Sequence, residues 1–562
     1  MAAGRFRFVL TFAGALALLL TPLALLIGTE QAPIPLIFTA LVTMSIASFM
    51  AFLSRRVLFA SAVTLSLAAA IYCVSYAKRD AMDMSFHSYD ILFYTSGSTL
   101  AFLWSDYRSY ILTAIVFLLC AAMLAMLAWR VDKLRCPRMV SAGLLLLAIV
   151  ATAWVWPQAK AAVSPHMMFG KNHSAPIAAF YLSWSDTFNA LTSGKSMAAL
   201  ESAARTTLPR FAISASCTPS QKPPHIVLIH QESLYPLSIF PKVAYDRALD
   251  RFFLSGDNRL HKLRVETYGG ASWVTDFSIF TGISARSFGY VRPFVPVFMR
   301  GRLKETLPQW LGKCGYRNVM FFPFDGNFLA LDKFYKSIGF DDAFDRNAQG
   351  LTSWHERDRV YFQNALNAIE RNLAARKGPL FIYVQTMTAH GPFNSALAPE
   401  ENVAGGGPGT SAELSEYLRR VAIVAKDGDF LIDELKRRFP GERFLIARFG
   451  DHQPQTTREL LNLPPDPRIL VDWTETPDAF ITFYALSGVN FAVPKLPDYD
   501  VLDVPFLDTV ILDAAGLPLT EAQQERKRLM LLCAGQYFEC KHREEILTFH
   551  RRLIDSWIVQ TE

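Results

Sequence analysis

The stretch Phe444-Leu445-Ile446-Ala447-Arg448-Phe449-Gly450-Asp451-His452-Gln453-Pro454 decides how this chain is read. A largely apolar run bounded by a glycine has the character of a strand buried on both faces of a parallel sheet. Phe444–Phe449 is therefore predicted to be a core strand that runs into Gly450 and presents Asp451 and His452 side by side. In open α/β sheets ligands collect beyond the carboxyl ends of such strands. A carboxylate beside an imidazole suits Zn²⁺ or Mn²⁺. Asp and Gly are also ordinary turn formers, so this tripeptide alone decides little. The weight comes from other strands that end in the same way.

Working outward, His225–His230 is an apolar strand that ends at Gln231-Glu232-Ser233. Asn318–Phe322 ends at Pro323-Phe324-Asp325, and Leu380–Gln385 runs into Thr386-Met387-Thr388-Ala389-His390-Gly391-Pro392. A further strand is predicted at Ala479–Leu486. Helices are predicted at Arg302–Cys314, Glu356–Ala375 and Ser411–Phe439, with a largely helical tail from Thr520 to Val559. Strands alternating with helical stretches imply an α/β domain with a mainly parallel sheet. Glu232, His390, Asp451 and His452 thus follow three different apolar strands. A carboxylate can cap a helix and a histidine can satisfy a loop, but their joint position at strand ends points to a metal site. Ala404–Gly409, AGGGPG, is a flexible loop expected to act as a lid.

A metal with open positions calls for a nucleophile. Glu266–Gly282, ETYGGASWVTDFSIFTG, supplies candidates. Gly269-Gly270 allow a tight backbone, Ser272 follows, and an apolar helical run begins near Asp276. A hydroxyl at a helix N-terminus lies where free N–H groups and the dipole stabilise an anion. Metal coordination would make such a hydroxyl a usable nucleophile. Ser272 is also a suitable plain N-cap, and Thr275 is the rival for both roles.

The chain has 562 residues, 51% of them hydrophobic, and the apolar excess is concentrated in the first 157. Five stretches there are long enough to span a bilayer: Phe8–Ile27, Ile34–Leu53, Val57–Tyr76, Tyr110–Ala128 and Met139–Trp156. The first is read as an anchor rather than a cleaved leader. Arg5 and Arg7, Arg55 and Arg56, and the set Arg130, Lys133, Arg135 and Arg138 all fall on one side. The positive-inside rule makes that side cytoplasmic and places everything after about Lys160 outside an inner membrane. Lys78, Arg79 and Arg108 weaken this bias without reversing it. The apolar outer loop Lys78–Ser109 is expected either to lie in the interface or to pack under the soluble domain. The net charge of +6 is modest, and no nucleic-acid partner is inferred from it. The organisation read from the sequence is a five-span region at 1–157, a partly membrane-surface connector at 158–222 and an extracytoplasmic domain at 223–562. Outside the membrane disulfides persist. Cys533 and Cys540, close in sequence, are expected to pair, and Cys217 with Cys314 then follows, one of three pairings that four cysteines allow.

The order Glu232, a hydroxyl after a Gly pair, Thr386–Phe393 and then Gly450-Asp451-His452 resembles the membrane-anchored sulfatase-like branch of the alkaline phosphatase superfamily. It is most similar to lipoteichoic acid synthases and related phosphoglycerol transferases. Five spans before an outer catalytic domain match their layout, and Phe334–Asp341, FYKSIGFD, is similar to another of their stretches. The resemblance implies that Glu232, Ser272, Asp451 and His452 hold one divalent metal, Mn²⁺ or Zn²⁺. It implies that Ser272 is the nucleophile, where the synthases commonly carry Thr, and Asp276-Phe277 favours Ser272 over Thr275. His390 matches a residue that binds the substrate phosphate or protonates the leaving group. Where the synthases carry Trp and Arg, this chain has Phe328 or Leu329 and Leu331. A formylglycine sulfatase is not expected, since no Cys-x-Pro-x-Arg motif is present.

The expected reaction is transfer of phosphoglycerol from phosphatidylglycerol, a phospholipid donor, to a glycan or glycolipid acceptor through a phospho-seryl-type intermediate. The rivals are phosphoethanolamine transfer to lipid A or a glycan, and a phosphodiesterase. A membrane scaffold with a degenerate site is the non-enzymatic alternative, disfavoured by ligand-type residues at strand ends. A transporter fits poorly with so few intramembrane charges.

Overall fold

The structure, a computed structural model, describes residues 20–82, 84–93, 97–133, 135–163, 175–193, 208–327, 331–375, 378–408, 410–465, 471 and 473–560. The chain divides into two compact units, Met1–Thr192 and, in the main, Ser193–Glu562.

In the first unit four helices are long and apolar enough to cross a membrane: α1 (Pro33–Ser54), α2 (Val57–Met82), α3 (Arg108–Val131) and α4 (Arg138–Ala162). They match the last four expected spans. Most of the first expected span, residues 8–19, lies outside the described residues, and its described remainder forms the short apolar helix Leu20–Thr29. α3 leaves Leu118, Leu119 and Met123 exposed, as a lipid-facing helix would. A fifth helix, α5 (Pro176–Ser193), packs within this unit. Ile177 and Phe180 join Leu26 and Ile71 in one cluster, and Ala178 and Leu182 join Phe38 and Ala159 in another. Glu30 meets the first N–H groups of α5, accepting from Ile177 N at 2.9 Å and Ala178 N at 3.4 Å. The loop after α2 packs on α5: Phe86 stacks on Phe180 at 4.8 Å and Ser88 N donates to Ser183 Oγ at 2.9 Å. Lys78 and Asp90 pair at 2.8 Å in its interior.

The second unit is built on one sheet with strands β1 (His225–Gln231), β2 (His261–Arg264), β3 (Arg317–Phe321), β4 (Asp342–Phe344), β5 (Leu380–Gln385), β6 (Phe444–Gly450), β7 (Ile481–Val489) and β8 (Leu502–Asp503). Their spatial order is β4-β3-β5-β1-β6-β7-β2-β8. β7 runs antiparallel to both β6 and β2, and the other pairs are parallel. Every residue of β1 and β5 is buried, which is why these strands read as continuous apolar runs. β1 lies between β5 and β6, so the ends carrying Glu232, His390 and Asp451 are neighbours. β2, β4 and β8 were not expected; two to four residues carry too little pattern to be read as strands.

The helices follow their caps. Ser411 accepts from Leu414 N at 3.1 Å and starts α8 (Ala412–Arg438). The helix expected from Arg302 begins only at Leu307, because Thr306 and Gln309 form a reciprocal capping box and Glu305 is left-handed. Gly406 and Gly407 of the glycine-rich loop are hydrogen-bonded in place, Gly406 N to Ser415 Oγ and Gly407 N to Ala244 O. Disulfides join Cys217 to Cys314 and Cys533 to Cys540.

One buried acid holds the loop after β5. Asp358, at the start of α7 (Asp358–Ala374), accepts from Met387 N at 3.1 Å and Thr388 N at 2.8 Å through the same oxygen. Its other oxygen has no partner. Burial, aided by the nearby Asp427 charge, pushes the Asp358 carboxyl up to about 6 against the hydrogen bonds that lower it. The folded pKa is thus above the unfolded one, so the ionised form costs stability. The cost is absent below about pH 4 and grows as pH rises through about 6. Asp358→Asn, which keeps an acceptor and removes the charge, is therefore expected to gain on the wild type by roughly 2 kcal/mol between pH 4 and pH 7. Thermal or denaturant unfolding at the two pH values checks this; a constant difference would exclude the effect.

Candidate metal centre and nucleophile

Gly450 is required where β6 ends. A Cβ there would meet the Leu234 carbonyl at 1.9 Å, so only glycine lets the two backbones approach and brings Asp451 beside Glu232. Asp451 Oδ1 accepts from Ser233 N at 2.8 Å. Its Oδ2 turns to the shared space, as do the Glu232 oxygens. Both acids are buried, with 1% or less of their surface exposed.

Two histidines meet these carboxylates. His452 Nε2 lies 3.2 Å from both Glu232 Oε1 and Asp451 Oδ2. His230 Nε2 lies 3.1 Å from Asp451 Oδ2 and 3.5 Å from Glu232 Oε2. His230, at the end of β1, was not picked out from the sequence. Its place two residues before Glu232 was the available signal, since residues i and i+2 of a strand share a face. His230, Glu232 and Asp451 form a three-residue group whose ligand atoms all lie within 4.8 Å of one another.

What lies behind His230 sets its tautomer. Nδ1 is 2.9 Å from Asp276 Oδ1 and 2.7 Å from the Tyr383 hydroxyl, which itself donates to Asp276 Oδ1 at 2.7 Å. An ionised carboxylate only accepts, so Nδ1 carries a proton, and Nε2 is the ring atom that faces the acids. Carboxylate–histidine support of this kind is usual behind metal ligands. His230 Nε2 and Asp451 Oδ2, though close, are not aligned as a hydrogen bond, and neither atom makes one elsewhere. Two buried, unsatisfied ligand atoms facing each other across a carboxylate pair fit a divalent cation.

The electrostatics agree. Burial opposes charge on His230, but Asp276 and Asp451 outweigh it and hold its pKa well above the ordinary value. Burial likewise opposes ionisation of Glu232, but the nearby His230, His452 and His390 hold it well below the usual range. His452 is raised to about 9, against burial, by Asp451 and Glu232. A cation would neutralise the same acids in place of these protons.

Ser272 opens helix α6 (Ser272–Thr281). The preceding Gly269, Gly270 and Ala271 all have positive φ, at 74°, 154° and 63°. A Cβ on Gly269 would also strike the Gln455 side chain at 2.1 Å. Ala271 occupies the N-cap position and makes no side-chain cap, so Ser272 is not spent as a cap. Its hydroxyl donates to Glu232 Oε2 at 3.0 Å and lies 3.5 Å from His452 Nε2. Thr275 is fully buried and its hydroxyl donates to the Asp451 carbonyl at 2.9 Å.

His390 stands on the loop after β5, half-buried, with its ring edge-on to Trp354 at 5.0 Å. The buried Arg420 of α8 fixes that loop by donating to the carbonyls of His390 at 2.6 Å, Pro392 at 2.8 Å and Ser395 at 3.0 Å. His355 is 6.1 Å from the His390 ring, and its Nε2 is 3.2 Å from Arg420 Nη1. Burial and the His390 and Arg420 charges lower His355 to about 4, so at neutral pH it is an uncharged acceptor from Arg420. Neither Arg420 nor His355 was legible, because each lies far in sequence from the strand ends it serves. Leu331 is buried, while Phe328 and Leu329 lie outside the described residues.

The support behind His230 is open to test. Asp276→Asn removes the charge that orients Nδ1–H and is expected to weaken Mn²⁺ or Zn²⁺ binding roughly 10- to 100-fold. Metal titration followed by elemental analysis reads this. An unchanged affinity would exclude His230 as a ligand held by Asp276.

Residues 265–474 match the family described as Sulfatase. A Haemophilus influenzae protein described as uncharacterized is 26% identical over 306 residues, which are 52% of this chain and 51% of that protein. The chain thus spans about half the length of that relative. Among solved structures, lipoteichoic acid synthase LtaP from Listeria monocytogenes aligns with a TM-score of 0.41 and 17% identity, over 57% of this chain and 78% of that one. Streptococcus pyogenes phosphoglycerol transferase GacH aligns with 0.46 and 12%, over 61% and 87%. The integral membrane lipooligosaccharide phosphoethanolamine transferase A of Neisseria meningitidis aligns with 0.46 and 11%, over 89% and 96%. Residues 265–474 thus resemble the Sulfatase family, in a chain that also has a mainly parallel sheet and, among the described residues, four helices long and apolar enough to cross a membrane.

Proposed function

We propose that this protein is a metal-dependent phosphotransferase that moves phosphoglycerol from phosphatidylglycerol to a glycan outside the membrane. The observation that carries the reading is the uncapped Ser272 hydroxyl, 3.0 Å from Glu232 at the start of a helix and beside two unsatisfied ligand atoms. Glu232, Asp451 and His452 hold the metal with Ser272, and His230 is a further ligand. A bound divalent cation supplies Lewis acidity that lowers the pKa of the serine hydroxyl and offsets phosphate charge.

Ser272 Oγ gives its proton to solvent water and attacks phosphorus. The Oγ–phosphorus bond forms as the bond to the diacylglycerol oxygen breaks. His390 gives a proton to that leaving oxygen, and the phosphoglycerol stays on Ser272. In the second half, an acceptor hydroxyl gives its proton to His390 and attacks phosphorus, and the Oγ bond breaks with Oγ taking a proton back from solvent water. Free N–H groups at the start of α6 stabilise the negative oxygens. Four membrane-length helices in the same chain fit a lipid donor, since tethering raises its effective concentration. Two disulfides support an extracytoplasmic domain, and the Arg pairs at the helix ends support a cytoplasmic N-terminus.

A second reading is phosphoethanolamine transfer. The buried Leu331, where phosphoglycerol transferases carry Arg, favours it by removing a head-group cation. Both readings are tested by giving the purified full-length protein phosphatidylglycerol or phosphatidylethanolamine in micelles with Mn²⁺ or Zn²⁺. Diacylglycerol release from phosphatidylglycerol is expected, with a phosphoglycerol adduct by intact mass. Ser272→Ala is expected to abolish the adduct and reduce release by at least about 10³-fold. Release from phosphatidylethanolamine alone would replace the first reading by the second. Metal binding without release from either lipid would exclude both.

A further inference from the structure

The helix α8 covers two separate apolar clusters. Under its C-terminal half Leu431 and Leu435 pack with Ile229, Phe362 and Ile446. Under its N-terminal half Leu414, Tyr417 and Val421 pack with Phe252, Phe253 and Leu234. Between them is a cavity of about 620 Å³ whose wall takes Ile446, Leu431 and Phe362 from one side and Phe252, Leu249 and Ala425 from the other. Interiors are normally close-packed, with few voids larger than a water molecule. A gap of this size is in the range of small-molecule sites.

Its polar lining is unusual for a space between two cores. Arg448 of β6, on the same strand face as Ile446, projects where an apolar residue would join the clusters. Its guanidinium stacks on Phe252 at 4.3 Å, and the hydrogen bond made by its Nη2, to the Leu254 carbonyl, is long at 3.5 Å. Burial lowers the Arg448 pKa to about 10 despite the Asp429 charge. Gln231, fully buried in the same wall, has neither amide atom hydrogen-bonded. Asp429 is at the rim and largely exposed, 3.9 Å from the exposed Arg251. Asp246, also exposed, caps its own turn by accepting from Ala248 N at 2.9 Å. The rim thus carries two acids and one arginine, and the half-buried Arg448 is the one cation on the inner wall, with a single long hydrogen bond described for it.

We infer that this cavity is a binding site for a small monoanionic amphiphile, its single negative group on Arg448 and its apolar body along Phe252, Leu249 and Ile446. One guanidinium matches one charge, and the two acids at the mouth disfavour a dianion. The site is separate from the phosphotransfer centre and does not depend on that reading: Gln231 and Arg448 face the cavity, whereas His230, Glu232 and Asp451 meet one another.

The test uses full-length protein held in amphipol and 2-naphthoate as probe, with binding followed by calorimetry. Saturable binding of one probe per chain is expected. 2-Naphthol, which lacks the charge, and Arg448→Met are each expected to bind about 10-fold more weakly or worse. Ala425→Phe, which fills the cavity and keeps the arginine, is expected to abolish binding. Thermal unfolding of each variant shows whether it is folded; if Arg448→Met is not, the naphthol and Ala425→Phe comparisons decide. Absence of saturable binding to the wild type, equal affinity for naphthol, or undiminished binding by folded Arg448→Met or Ala425→Phe would overturn the assignment.

Discussion

Two carboxylates that share a buried space are the constraint on which the second unit depends. Glu232 and Asp451 have almost no contact with solvent, and like charges so placed repel strongly unless something between them is positive. The fold meets this need from several directions. His230 and His452 approach on the same side, and Ser233 N and the Ser272 hydroxyl donate to the remaining oxygens. Every group in this set is carried by a strand end or a helix start, and so by the best-packed parts of the unit. A site held in this way loses little order when its ligand leaves, which is what preorganised catalysis requires.

The same constraint explains why glycine occurs where it does. Gly450 lets β6 pass against the Leu234 carbonyl, and Gly269 lets the loop before α6 close against Gln455. Without those approaches Asp451 and Ser272 would be displaced from Glu232, and the carboxylate pair would lose a donor. The left-handed Ala271 is a local cost, of order 1 kcal/mol for a residue with a Cβ. It leaves the first residue of the helix, rather than its cap, facing the acids.

Much of this could be read in the sequence, and the parts that could not have a common cause. Buried strands ending in ligand-type residues are visible because burial on both faces leaves an uninterrupted apolar run before the change of character. Phe444–Phe449 and Leu380–Gln385 are of this kind. His230 is hidden by the same logic: inside a run it looks like His225 at the other end of β1, and only the tertiary approach of Asp276 and Asp451 distinguishes them. Arg420 sits mid-helix, where an arginine ordinarily signals a solvated face, yet it is buried and holds three carbonyls of the His390 loop. Asp358 looks like a helix-start residue and is one, but its contacts to Met387 and Thr388 join segments about 30 residues apart. Periodicity reports which face of an element is buried; it does not report what that face meets.

This division between strand ends and loops bears on specificity. In the proposed reaction the carboxylates, His452 and Ser272 would meet only phosphate and metal, which any phosphodiester donor offers alike, so they would not select a head group. Selection must come from groups that reach past phosphorus, and those stand on loops. His390 and its neighbours Trp354 and His355 lie on two such loops, fixed by Arg420 and Asp358 from behind. Because burial above all lowers His355 to about 4, it is uncharged at neutral pH and would meet a head group by hydrogen bonds, not by charge.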